Sequence, residues 1–148
     1  PGAALVAQQL AHMMLVQALR LYLQTSPGKS ANWFTALADP RVSVALGAIH
    51  ADPGRPWTVQ ELAACAGMSR STFAQHFRER AGETPIAYLT RWRMMLAGER
   101  LVEGRESLAR IGQSLGYESE HAFNAAFKRV MGSAPGRYAR AMGRAAAA

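Results

Sequence analysis

S-R-S-T-F-A-Q-H-F-R-E-R-A-G-E-T-P-I-A-Y, residues 69–88, and S-E-H-A-F-N-A-A-F-K-R-V-M-G-S-A-P-G-R-Y, residues 119–138, decide the fold of this chain. The two stretches match at a constant offset of 50. Ser69 answers Ser119, Phe73 answers Phe123, Phe77 answers Phe127, Gly82 answers Gly132, Pro85 answers Pro135 and Tyr88 answers Tyr138, with Arg78 meeting Lys128. Each part has its own physical reason. The serine caps the free amides at a helix start. Phenylalanines four apart share one helix face and require a packing partner. The glycine ends the helix with a left-handed residue, and the proline opens the next one.

A second helix precedes each copy. Thr58 and Glu61 form the capping box of T-V-Q-E, the helix runs to about Ala66, and Gly67 turns the chain. In the second copy Ser107 is the cap, Leu108 and Ile111 supply the apolar face, and Gly116 makes the turn. Small residues, Ala63 and Gly112, stand where the two helices of each unit cross. Short helix, glycine-containing turn and second helix make a helix-turn-helix, here present twice.

Composition sets the class. The 148 residues are 49% hydrophobic and 18% charged, enough apolar surface to fold. Ala and Leu dominate and no stretch alternates apolar and polar residues for long, so the expected fold class is all-α. The formal net charge is +7, and beyond Glu120 every charged residue is basic, which favours a polyanionic partner. The run Ala3 to Leu23 contains Gln8, Gln9, His12, Gln17 and Arg20, which argues against a membrane span, and a signal peptide is not expected either. A single cysteine, Cys65, excludes an internal disulfide and fits the cytoplasm; it reads as a small buried residue. His12, His50, His76 and His121 show no metal-ligand spacing, and no phosphate loop or nucleophile motif occurs. We therefore expect no enzyme activity, no cofactor and no metal.

Beyond the repeat, L-A-A-C-A-G-M-S-R-S-T-F-A-Q-H-F-R, P-I-A-Y-L-T-R-W-R-M, I-G-Q-S-L-G-Y-E-S-E-H-A-F-N-A-A-F-K-R and G-S-A-P-G-R-Y-A-R resemble the C-terminal DNA-binding domain of AraC/XylS-type bacterial transcription regulators. The resemblance covers roughly Asp39 to Arg140. It implies seven helices, with recognition helices at about 69–80 and 119–131 entering adjacent major grooves on one side of the duplex. A linker helix, roughly Pro85 to Val102, presents Ile86, Leu89, Trp92, Leu96 and Leu101 for packing. Two departures stand out: Gly112 takes a place usually held by Ala, and an arginine common in the second recognition helix is absent.

Carried onto this chain, the base-contacting positions are Arg70, Ser71, Ala74 and Gln75 in the first unit and Glu120, His121 and Asn124 in the second. Gln75 and Asn124 suit adenine, Glu120 a cytosine amino group and Ala74 a thymine methyl, while Arg70 suits either a guanine edge or phosphate. Arg78, Lys128 and Arg129 are expected on the phosphate backbone. Arg91 and Arg93 either meet phosphate or pair with Glu99 or Glu103; we assign Arg91 to phosphate and leave Arg93 open.

The domain is expected at 37–142, followed by a disordered tail, 143–148. Residues 1–36 read as a helical segment, the tail of an effector-sensing (cupin-like in the resembled family) and dimerising domain. Within it, residues 3–24 form an apolar helix suited to a homodimer contact, and Trp33, Phe34 and Leu37 begin another apolar patch. The chain opens without Met and closes on Ala145 to Ala148, so we expect a fragment of a longer protein whose small-molecule effector site lies elsewhere. The resemblance implies double-stranded DNA and RNA polymerase as partners and an activator role. The alternative is a DNA-binding accessory module of an enzyme such as a DNA-alkylation repair protein.

Overall fold

The computed structural model describes residues 39–146. The expectations for residues 1–36, the helix at 3–24 and its dimer contact included, lie outside the described residues. Within them the chain forms α1 (Pro40–Ala51), α2 (Val59–Cys65), α3 (Arg70–Ala81), α4 (Pro85–Glu103), α5 (Leu108–Ser114), α6 (Glu120–Met131) and α7 (Pro135–Ala146). α7 carries the helix to Ala146, so residues 143–146 are its last turn and not part of a disordered tail.

Local chemistry sets the helix starts. Asp39 accepts from the amides of Arg41 and Val42 at 3.0 and 3.2 Å, and Pro40 fills a position with no intrahelical amide to lose. Thr58 and Glu61 close the predicted capping box, the Thr58 amide donating to Glu61 Oε2 at 2.8 Å and the Glu61 amide to Thr58 Oγ1 at 3.2 Å. Ser69, Thr84, Ser107 and Ser119 cap α3, α4, α5 and α6. Gly82 and Gly132 close the two recognition helices at φ 80° and 77°, the left-handed region that the repeat requires of them.

The Glu61 carboxyl is drawn from 4.5 down to about 2, first by the Thr58 amide and then by Arg55 and the Thr58 hydroxyl. Because the folded value is depressed, this carboxylate stabilises the fold fully above pH 4.5 and loses its contribution as pH falls toward 2. Glu61→Gln should therefore flatten the fall in melting temperature across that window. Parallel melting curves for the two proteins would refute the assignment.

Packing divides the molecule into two cores joined by α4. The first gathers Val42, Ala45, Leu46 and Ile49 of α1, Leu62 and Ala63 of α2, Phe73 and Phe77 of α3, and Tyr88 and Leu89 of α4. The second gathers Met94 and Ala97 of α4, Ile111 of α5, Leu115 just after it, and Phe123, Ala126 and Phe127 of α6. No buried side chain among the described residues is polar or charged. The repeat extends to ring geometry: Phe77 meets Tyr88 at 6.0 Å and 72°, and Phe127 meets Tyr138 at 5.4 Å and 80°.

Gly112 fits its expected role. A β-carbon there would lie 3.1 Å from Phe123 Cγ, so the bare position lets α5 and α6 cross closely without a shift of that ring. Two packing expectations need correction. Ile86 is 38% exposed, because the inward face of α4 passes through Pro85, Tyr88 and Leu89 instead. Cys65 is exposed, because the stripe of α2 that faces the core is Val59, Leu62, Ala63 and Ala66, and residue 65 falls off it.

Candidate nucleic-acid interface

With Phe73 and Phe77 turned inward, α3 presents Arg70, Ser71, Gln75 and Arg78 to solvent and holds Ala74 half-buried. Beneath it runs a groove lined by Val59, Arg70, Ser71, Ala74, Thr84, Pro85 and Ile86. A second recess beside Thr84 continues along Gln75, Arg78 and Glu79. α6 repeats the arrangement: Glu120, His121, Lys128 and Arg129 are exposed, and Leu108, His121, Asn124, Lys128, Ala134 and Pro135 line the matching groove. Each recognition helix therefore stands beside the first turn of the helix that follows it.

Both readers border one region of α4. Thr84 and Ile86 line the α3 groove and also a recess that reaches Arg129 and Val130 of α6. The C-terminal part of α6 thus lies near the start of α4, beside the α3 groove.

Individual positions refine this picture. Gln75 Nε2 donates to Glu79 Oε1 at 2.9 Å, so reading an adenine requires it to exchange one exposed hydrogen bond for another. Asn124 is half-buried and lines the α6 groove, its Oδ1 shielded and without a hydrogen-bond partner. Arg91 has a carboxylate partner that the sequence did not suggest. It pairs with Glu83 at 2.6 Å, not with Glu99 or Glu103, and covers the Tyr88 ring, because Glu83 precedes the α4 cap and lies beside the helix's second turn. Its charge is already compensated. Arg78, Lys128 and Arg129 carry no ion pair among the described residues.

Some supporting groups have no signature in the sequence. His76, on α3, meets Asp39 at 2.7 Å, tying the recognition helix to the α1 cap. Burial pushes the Asp39 carboxyl up, but the Val42 amide, His76 and the Arg41 amide outweigh it and hold the group below its ordinary value. Arg100 of α4 grips Glu106 through two bonds of 2.8 and 2.6 Å and Ser114 Oγ at 2.7 Å, holding α5 to α4. That contact with Glu106 raises the Arg100 value. Arg93 turns inward and donates to the carbonyl oxygens of Pro53 and Arg55.

Comparison with known proteins agrees with this architecture. A family model described as a helix-turn-helix domain matches residues 62–141. A putative AraC-like transcription regulator of Streptomyces lividans is 49% identical over 137 residues, covering 93% of this chain and 45% of that protein. The chain thus spans under half the length of that relative. Among solved structures, the C-terminal domain of AraT from Geobacillus stearothermophilus aligns with a TM-score of 0.66 at 28% identity, over 70% of this chain and 86% of the other. The DNA-binding domain of AdpA, a global transcriptional factor solved in complex with a target DNA, aligns with a TM-score of 0.60 at 34% identity, over 70% and 92%. On the matched helix-turn-helix domain, the duplicated units and these relatives, the chain belongs to the AraC/XylS-type family of transcription regulators and carries their DNA-binding domain.

Proposed function

We propose that this chain binds a specific bipartite DNA site, α3 and α6 each entering one of two successive major grooves about 34 Å apart. The observation that carries the reading is the duplication itself: α3 and α6 each bury a pair of phenylalanines and leave an outer groove beside the helix that follows, on a chain of net charge +7. Arg70, Ser71, Ala74 and Gln75 read the first half-site. Glu120, His121 and Asn124 read the second, His121 and Asn124 lining its groove. Arg78, Lys128 and Arg129 meet phosphate, and Arg91 joins them only by giving up Glu83.

The whole protein acts in this reading as a cytoplasmic regulator that recruits RNA polymerase and senses a small effector through a domain outside this chain. The segment at 3–24 contributes to self-association. The relative's additional length leaves room for such a domain. A repair enzyme's accessory module receives no support from relatives described as transcription regulators.

Selection of duplexes from a random pool, followed by titration with competitor DNA at several salt concentrations, tests the proposal. Gln75→Ala should relax preference at one base pair by about 1–3 kcal/mol while leaving the salt dependence unchanged. Arg70→Ala separates its two readings: lost discrimination marks a base contact, whereas a salt slope smaller by about 1 marks phosphate. If no duplex outcompetes bulk DNA, specific recognition is ruled out.

A further inference from the structure

The two cores share no residue, and both draw on α4. A helix resists bending, but rotation of one unit about the α4 axis is opposed only by contacts that bridge the units. One set of them converges on Arg93 of α4. Arg93, halfway along α4, donates from Nε to the Pro53 oxygen at 2.6 Å and from Nη2 to the Arg55 oxygen at 2.8 Å, both in the α1–α2 loop. Its guanidinium also lies 5.8 Å from the ring centre of Tyr117, in the turn between α5 and α6.

The two backbones touch at the same point. A β-carbon on Gly54 would collide with the Ser114 carbonyl oxygen, and one on Gly116 with the Gly54 carbonyl oxygen, while lying 2.9 Å from Arg93 Nη2. The loop so gripped is itself braced. Trp57 Nε1 donates to the Asp52 oxygen at 2.8 Å, the Arg55 amide to Asp52 Oδ1 at 3.1 Å, and the Arg55 side chain covers the Trp57 ring. The other partner is the turn that leads directly into Ser119, the cap of α6. A planar fork of donors suits two carbonyls from one loop, and a lysine ammonium does not reproduce it.

We propose that this loop-to-loop contact, closed by Arg93, fixes the distance and angle between α3 and α6, making Gly54, Arg93 and Gly116 determinants of the half-site spacing the protein accepts. It rests on the reading that both helices enter major grooves. None of the three residues needs to touch DNA. They act by positioning α6, so their loss should leave each half-site contact intact and alter only the penalty for wrong spacing.

Two measurements on the full chain decide it. Spin labels placed through Ser71→Cys and Ala125→Cys, in a Cys65→Ser background, report the distance between the readers without DNA. A narrow distribution is expected for the parent, and a broadened or shifted one for Arg93→Ala, Arg93→Lys and Gly54→Ala. Binding to the selected duplex with two base pairs inserted, which rotates one half by about 70° and moves it about 7 Å, adds the functional readout. The parent should lose ~30-fold or more, and the variants less than ~5-fold. Unchanged distance distributions in the mild variants Arg93→Lys and Gly54→Ala, both retaining a cooperative melt, overturn the proposal, as does an undiminished spacing penalty. Absence of any preferred duplex for the parent would instead refute the grooves reading, leaving the distance measurement to judge the contact on its own.

Discussion

Replacing Phe127 by alanine is expected to cost about 3–5 kcal/mol, in a domain whose whole stability is on the order of 5–15 kcal/mol. The ring is fully buried, meets Phe123 at 5.8 Å and Tyr138 at 5.4 Å, and so joins α6 to the start of α7. The space left behind adds a cavity cost to the lost burial. The two cores being separate, the damage should be local: the second unit melts first while the first persists. Trp57 and Trp92 both pack on the first core, so the fall in helical circular dichroism should precede the change in their fluorescence. Phe77→Ala should reverse the order. A single coincident transition displaced by under about 1 kcal/mol would show that the ring does not hold the unit together.

The parts of the fold that were legible in the sequence are those fixed by local chemistry. Ser69 and Ser119 as caps, Gly82 and Gly132 as stops and the paired phenylalanines stand at the predicted places because each depends only on residues within one helical turn. A deeper correspondence was hidden. Val42, Ala45, Leu46 and Ile49 of α1 repeat in Met94, Ala97, Gly98 and Leu101 of α4, but at an offset of 52, since the connections that follow differ in length. The second half of the linker is therefore the first helix of the second unit, fused to the last helix of the first. α1 left little trace of its own, because its mixture of valine, serine and glycine gives only a weak apolar stripe.

The interface was legible in outline and not in detail for a related reason. Periodicity tells which side of α6 is outward, but not that the Asn124 oxygen is shielded where its counterpart Ala74 has no polar atom. Arg93 and Arg91 look alike on the page. One meets loop carbonyls 38 and 40 residues away and the other a carboxylate 8 residues away, and backbone carbonyls leave no mark in a side-chain pattern.

Removing three charges at once, by Arg78→Ala, Lys128→Ala and Arg129→Ala, should weaken binding to every duplex by on the order of 10²-fold at physiological salt. If each side chain displaces the counterion of one phosphate, the slope of log affinity against log salt falls by about 2.7. Referred to 1 M salt, that slope gives the stated loss near 0.15 M. The fold should survive. No carboxylate among the described residues is paired with these side chains, so their loss strands no partner. What is given up is their favourable position in the last turns of α3 and α6, about 0.3–1 kcal/mol each. The ratio of specific to non-specific affinity should stay nearly constant, because phosphate presents the same oxygens at every base pair. That constancy separates these residues from Gln75, whose loss changes the ratio and leaves the slope alone. A triple variant that kept the parental salt slope would mean that the C-terminal ends of α3 and α6 do not approach the backbone, and the two helices would then have to lie on DNA in some other orientation.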